Sequence, residues 1–374
     1  MGIMKPAMAG KEEARKRVGT KARSEMQGPI APWRSLRAYV PSCLRAFLIP
    51  LILALSACTK PPAAGPVATR QIVLGMVAKS EANDVFQAAR TGAEDAANNL
   101  GEQYNMDIRI DWQTPPEENA GEQADAIARL VNEKVDGIMV SCSDAQVLTT
   151  AINDAVDKGV PVVCFDSDAP ASKRLCDYGT DDIALGRMLV DAMAKYMNGH
   201  GTIAILAGNQ SALNLQKRVQ GVREELAKYP GMHELNNGHG VFYHEELPSA
   251  ADEAIKEAMN ANPGKIDGWV MVGGWALFNQ SALDWPPGSI KVVSCDALPS
   301  ELDYVRKGYV QELIAQDSYG WGYKSVTILV DKILHDKMPD GMDPQTHVIV
   351  NPLTPVTIDN VDQFAHSWDK WLQR

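Results

Sequence analysis

A strand that runs out into an aspartate occurs twice in this chain, and the repetition limits the fold more than any other feature. The first copy is Val160-Pro161-Val162-Val163-Cys164-Phe165-Asp166-Ser167-Asp168, and the second is Val292-Val293-Ser294-Cys295-Asp296. Apolar, β-branched runs of this kind suit parallel strands covered on both faces. Polar residues beyond the carboxyl end of such a strand lie where open α/β sheets bind ligands. A second pair of segments matches in the same way. Gly137-Ile138-Met139-Val140-Ser141 follows a Val-Asp pair, and Gly268-Trp269-Val270-Met271-Val272 follows an Ile-Asp pair.

From Gln71 onward the pattern alternates between strand and helix. Strands are predicted at 72–78, 107–112, 137–141 and 160–165. The helices between them are predicted at 83–100, 120–133 and 145–158. Phe86, Ala89, Ala93 and Ala97 form the apolar stripe of the first, with Gly101 stopping it; Ala124, Ile127, Leu130 and Val131 form that of the second. A short strand near 176–179 and a helix at 184–197 lead into a second round. That round has strands at 202–207, 240–244, 268–272, 291–295 and 310–315, and helices at 213–229, 249–261, 276–284 and 298–307. A long amphipathic helix at 322–335 and short strands at 347–351 and 355–358 complete the chain. Alternation of this kind makes a mostly parallel sheet with helices on both faces. Made twice, it predicts an α/β protein of two similar doubly wound lobes. Lobe 1 is placed at 71–180 plus 318–345, lobe 2 at 181–317 plus 346–360, and a C-terminal tail at 361–374. The cleft between such lobes is a preferred place for a small ligand.

The segment before Gln71 stands apart from this pattern. The run 47–57 is apolar, of signal-peptide length, too short for a comfortable membrane span, and preceded by Arg34, Arg37 and Arg45. It ends in Leu55-Ser56-Ala57-Cys58, which resembles a bacterial lipobox, where the signal is cut before a cysteine that is then lipidated. Residues 1–58 are accordingly read as signal peptide and lipobox, with Met26 as a candidate true start. Residues 59–70, with Pro61, Pro62 and Pro66, read as an extended tether.

Ten of the 36 basic residues and three of the 47 acidic ones precede Cys58, so the chain from Cys58 onward carries a formal charge of −18. Such a balance argues against nucleic acid or an anionic membrane surface as a partner. Cys142, Cys164, Cys176 and Cys295 lie in or near apolar runs with no metal-ligand spacing. A Cys164–Cys176 bridge between neighbouring strands is open at this point. No nucleophile–base pair or phosphate loop stands out, no cofactor is called for, and an enzyme is not expected.

Several further motifs accompany the duplicated strands. An Asn-x-x-Phe helix start stands at Asn83 and Phe86. The segment Gln216-Lys217-Arg218-Val219-Gln220-Gly221 lies in a helix of the second round. Pro299 follows Asp296, and Leu313-Ile314-Ala315-Gln316 ends the last long strand. In this order and spacing the chain resembles the periplasmic sugar-binding proteins of the ribose/galactose type, from about Gln71 to Pro355. The resemblance implies two lobes joined by three crossovers, placed near 180–182, 296–297 and 316–318. It implies a sugar or polyol held in the cleft without a cofactor, by a monomer that delivers it to the permease of an ABC importer. Asn83, Phe86 and Asp166 would contact the ligand from lobe 1, and Arg218, Asp296 and Gln316 from lobe 2 and the hinge. Carboxylates and a guanidinium suit sugar hydroxyls, and aromatic rings cover the apolar faces of a sugar.

The chain departs from the ribose-type pattern at two points. Ser167 replaces the arginine that follows the first strand-end Asp, and Gly273-Gly274-Trp275 replaces an Asn-Asp strand end. Trp275 could stack on the ligand or lie in a lobe core. Lys79, at the end of the first strand, and Asp168 could add polar contacts. Phe86 could equally be core, Arg218 an exposed helix charge, and Gln316 a partner of hinge backbone. A sensor that presents a bound sugar to a membrane receptor would look the same in sequence.

Overall fold

The computed structural model describes residues 70–372; the segments expected to be the signal peptide, the lipobox at Cys58 and nearly all of the tether lie outside the described residues. Among the described residues thirteen strands and ten helices alternate in two rounds. Lobe 1 contains β1 (Gln71–Val77), α1 (Asp84–Tyr104), β2 (Asp107–Trp112), α2 (Ala120–Glu133), β3 (Gly137–Val140), α3 (Ala145–Asp157), β4 (Val162–Phe165) and β5 (Cys176–Gly179). Lobe 2 follows with α4 (Asp182–Met197), β6 (Gly201–Ala207), α5 (Leu213–Leu226), β7 (Met232–Glu234), the single turn α6 (Leu235–Gly238), β8 (Val241–Tyr243), α7 (Pro248–Ala261), β9 (Gly268–Met271), β10 (Lys291–Cys295), α8 (Pro299–Arg306) and β11 (Glu312–Ala315). The chain then returns with α9 (Ser318–His335), β12 (Val348–Val350), β13 (Thr354–Val356) and α10 (Val361–Trp371).

The first sheet has the order β12-β5-β4-β3-β1-β2 and is parallel throughout. The second has the order β13-β11-β10-β9-β6-β7, with β8 continuing alongside β6 and only β13 antiparallel. The central strands are buried on both faces, as their unbroken apolar runs require. The duplication extends to single side chains. The Asp136 carboxylate accepts the Val73 N–H at 2.8 Å, and Asp267 accepts the Thr202 N–H at 2.8 Å. Each thereby ties the entry of its lobe's third central strand to the first. The helix pairs behind the hinge are also duplicated. A Cβ on Gly92 of α1 would stand 2.0 Å from the Tyr319 carbonyl oxygen of α9, and one on Gly221 of α5 would stand 2.2 Å from that of Ile183 in α4. Glycine is what lets these backbones touch.

Four expectations are corrected. First, 296–297 is not a crossover, because β10, α8 and β11 all stay in lobe 2, where β10 and β11 pair. The crossovers run from β5 to α4 near Thr180, from β11 to α9 near Gln316, and from β12 to β13 through 351–353. Second, residues 346–360 do not all join lobe 2. Val348–Val350 extends the sheet of lobe 1 on β5, and only Thr354–Val356 pairs in lobe 2. A three-residue strand has too short a pattern to declare its partner. Third, 361–371 is a helix with buried Val361 and Trp368 rather than a tail. The bridge left open between Cys164 and Cys176 does not form. Cys176 is in register with Val163, and Cys164 with Asp177, so the two side chains leave opposite faces of the sheet. Cys164 packs in the core on one side and Cys176 in that on the other, both as free thiols. Fourth, Gly101 lies inside α1 rather than ending it; the helix stops at Asn105, which is left-handed.

Candidate functional site

The carboxyl ends of both sheets face one another across a cleft, and the chain at its base is held by hydrogen bonds from three crossovers. Thr180 Oγ1 donates to Gln316 Oε1 at 2.7 Å and lies 3.0 Å from Asn351 Oδ1. Each of these residues belongs to a different crossover, so the hinge is knit by side chains as well as backbone. Arg218 of α5 reaches into the same place. Its Nε donates to Asp182 Oδ1 at 2.9 Å, Nη1 to the Val272 carbonyl at 3.0 Å, and Nη2 to Gln316 Oε1 at 2.8 Å. It is 2% exposed, so the exposed-charge reading is excluded. Burial pushes the Asp182 carboxyl up to about 6, with Arg218 pulling it back down. Gln316 Nε2 in turn donates to Asp296 Oδ1. Burial also raises Asp296 above the ordinary carboxylate value, again opposed by Arg218.

On the side of lobe 1, Asp166 Oδ2 accepts the Ser141 hydroxyl at 2.7 Å and lies 3.8 Å from Lys79 Nζ. Burial opposes the charge of Lys79, but Asp166, Glu246 and Glu118 outweigh it and hold the ammonium well above the ordinary lysine value. Asp166 and Asp296 share an unusual backbone: φ is +59° at the first and +78° at the second. Both strand ends therefore kink sharply at the aspartate. Ser167 Oγ is 3.5 Å from Asn214 Oδ1, a contact between the lobes.

Above this base lies a cavity of about 700 Å³ lined from both lobes. Lys79, Asn83, Phe86 and Trp275 line it, together with Glu118, Asn209, His244 and Glu246. Asn83 is the N-cap of α1, where its side chain accepts the Val85 N–H. Phe86 is 3% exposed and tilted against Trp321, so it is both core and cavity wall. Trp275 opens a one-turn 3₁₀ helix, Trp275–Phe278, where a longer helix at 276–284 is expected; its ring lies edge-on to His244. Thus Lys79, Asn83, Phe86 and Trp275 are brought to one cavity, while Asp166, Ser167, Arg218, Asp296 and Gln316 form the buried polar layer beneath it. Asp168 does not join either group, because it is paired with buried Arg174.

Sequence reasoning missed Glu118, Glu246 and His244. The repeat carried the signal: Glu117-Glu118 precedes α2 and Glu245-Glu246 precedes α7, at corresponding places in the two lobes. Removal from water pushes Glu246 up to about 8, with Lys79 pulling down and Glu118 pushing up. Glu118 Oε1 and His244 Nε2 are buried without a partner within the protein. A raised carboxyl binds its proton more tightly in the folded than in the unfolded state. The contribution of Glu246 to stability is therefore fully present below the unfolded carboxylate value and is lost as pH rises toward about 8. Between pH 5 and pH 8 the thermal midpoint of the parent should fall relative to that of Glu246→Gln. Parallel curves for the two proteins would show that Glu246 does not hold its proton in this way.

A family model described as "Periplasmic binding protein domain" matches residues 74–337. The chain belongs to the periplasmic binding protein family. Its two-lobe architecture is the type I form of that fold. A xylitol-binding protein of Mycolicibacterium smegmatis is 27% identical over 247 residues, spanning 64% of this chain and 66% of the relative. The HTH-type transcriptional repressor PurR of Vibrio parahaemolyticus is 36% identical over 110 residues, only 28% of this chain and 30% of its own. The chain thus spans just under two thirds of the first of these curated relatives and under a third of the second. Among solved structures, an ABC transporter solute-binding protein of Burkholderia graminis in complex with D-arabinose superposes with a TM-score of 0.70 at 25% identity. That match covers 78% of this chain and 97% of the other. Among the described residues no helix is long and apolar enough to cross a membrane, and no group of three or more His, Cys, Asp or Glu could hold a metal ion.

Proposed function

We propose that this protein is the solute-binding component of an ABC-type importer, that it captures a neutral sugar or polyol between its lobes, and that a lipid on Cys58 anchors it in the cell envelope. The observation that carries the reading is the cleft itself. Hydrogen-bonding side chains from both lobes and two aromatic rings, Phe86 and Trp275, converge on one cavity of about 700 Å³. Planar rings and charge-assisted hydrogen bonds are what a polyhydroxylated ligand needs. The likeness to a xylitol-binding and a D-arabinose-binding protein supports the same ligand class. In this reading Asp166 and Ser167 meet the ligand from lobe 1, and Arg218, Asp296 and Gln316 from lobe 2 and the hinge. Lys79, Asn83, Phe86 and Trp275 enclose it above. Closure brings the lobes together around the ligand, and the closed form is what the permease receives.

The acidic lining narrows the class. Glu117, Glu118, Glu245 and Glu246 face a single ammonium, Lys79, in the cavity wall. A negative charge on the ligand would be disfavoured there by the excess of acidic over basic groups. A thermal-shift panel of xylitol, D-arabinose, D-ribose, myo-inositol and D-glucuronate tests this. A bound ligand at 100 times its Kd stabilises by about 2.7 kcal/mol. At least one neutral member should raise the midpoint, and glucuronate should not. A panel in which no neutral sugar or polyol raises it would overturn the ligand class. The anchoring part has its own test: Cys58→Ser should move the protein from the membrane to the soluble fraction while leaving ligand binding intact. Unchanged membrane association would reject lipidation at Cys58.

A further inference from the structure

The helix α10, expected only as a tail, connects the two lobes at the back of the molecule. Its first half belongs to lobe 2. Val361 is buried, and Asp362 pairs with Arg306 of α8 at 2.9 Å. Its last turn reaches lobe 1. The Trp371 ring stacks on Tyr319 at a centroid distance of 5.8 Å, the Trp371 carbonyl accepts the Thr91 hydroxyl at 2.6 Å, and Lys370 lies over the Tyr319 ring. Tyr319 is the second residue of α9, immediately beyond the Gln316 crossover, so this attachment lies close to the hinge.

Between the two attachments, the buried indole of Trp368 donates its Nε1–H to the carbonyl of Ala297 at 2.7 Å. Ala297 directly follows Asp296, and the two residues are consecutive in the left-handed region, with φ of +78° and +58°. Neither is glycine, so the segment holds a conformation that side chains disfavour. It persists only because its surroundings hold it. The Asp296 N–H donates to the Ile314 carbonyl, and the Leu298 N–H donates to Glu301. The Ala297 carbonyl, turned away from the sheet by the kink, is held by Trp368. The indole packs edge-on against Trp371 at 5.1 Å, so the same aromatic pair touches the Asp296 loop at one end and lobe 1 at the other.

We propose that Trp368 is a positioning residue for Asp296: by holding the Ala297 carbonyl it keeps the strand-end kink that aims the Asp296 carboxylate into the cleft, and through Trp371 it links that aim to the seating of α10 on lobe 1. This rests on the reading of Asp296 as a ligand contact, and the experiment separates the two. Trp368→Phe keeps an aromatic ring and removes only the donor. In the ligand-free protein, hydrogen–deuterium exchange at the amides of 296–298 should quicken by ~tenfold, the worth of one net hydrogen bond. The amides of 361–364 should keep their protection, which reports that α10 is still docked. Affinity for whichever of xylitol, D-arabinose or myo-inositol binds the parent should fall by a similar ~tenfold factor. In an Asp296→Asn background the same substitution should cost much less, because coupled residues are not additive. Unchanged exchange at 296–298, or the full affinity loss in both backgrounds, would overturn the proposal. If no neutral sugar or polyol of the thermal-shift panel binds the parent, the sugar reading fails, and the exchange result alone decides the positioning.

Discussion

Arg218→Met is expected to destabilise the ligand-free protein by about 3–5 kcal/mol at pH 7, the range for removing one partner of a buried ion pair. The guanidinium serves Asp182, the Val272 carbonyl and Gln316 at once, with 2% of its surface exposed. Its loss leaves the Asp182 carboxylate and a strand-end carbonyl buried and unpaired. Asp182 already holds its proton up to about pH 6 with Arg218 beside it. Without Arg218 it holds that proton at higher pH, so the loss should be smaller at pH 5 than at pH 7. Asp182→Asn in the same background should recover part of the stability. Urea unfolding at the two pH values measures both effects. A cost under about 1 kcal/mol at pH 7, typical of an exposed pair, would mean that the Arg218 charge is solvated in an open cleft.

Asp166→Ala and Asp296→Ala are each expected to weaken sugar or polyol binding by about 2–5 kcal/mol, as truncating one side of a buried charged hydrogen bond does. The two come from opposite lobes, so each should fail to be rescued by the other. Their effects on the ligand-free protein differ. Asp166 is one of three carboxylates that hold the Lys79 charge, with Glu118 and Glu246 remaining after its loss. Asp296→Ala removes an acceptor from Gln316 and leaves that amide in a layer where Arg218 and Thr180 already contact its oxygen. Both variants should therefore fold, and circular dichroism with calorimetric titration separates binding from folding. Two variants that bind as tightly as the parent would remove these residues from the site and leave the cavity wall, Lys79, Phe86, Trp275 and Glu246, as the ligand contacts.

Much of the local structure was legible in the sequence because its causes are local. Unbroken β-branched runs such as Val162–Phe165 become parallel strands whatever lies far away, and the spacing of Phe86, Ala89, Ala93 and Ala97 produces one buried helix face. The duplication of these units specified two lobes. It also located Asp166 and Asp296 at corresponding strand ends, whereas the two crossovers placed correctly came from the resemblance to the sugar-binding proteins. The Glu117-Glu118 and Glu245-Glu246 pairs were written in the same repeat and could have been read from it.

What only the tertiary structure decided is which distant segments meet. The third crossover near Asn351 depends on a three-residue strand choosing β5, and that choice rests on an open sheet edge rather than on its own residues. The role of Arg218 as a hinge partner depends on Asp182, Val272 and Gln316 arriving beside it from three elements. The separation of Cys164 from Cys176 depends on register, since a shift of one residue along a strand sends a side chain to the other face. The helix α10 has apolar residues at helical spacing, but its significance lies in Ala297 at one side and Tyr319 at the other. Sequence by itself determined the two α/β lobes, because strand and helix periods are properties of neighbouring residues. Tertiary structure alone decided how those lobes are hinged and braced, because long-range pairing depends on which buried polar groups and open edges the rest of the fold leaves to be satisfied.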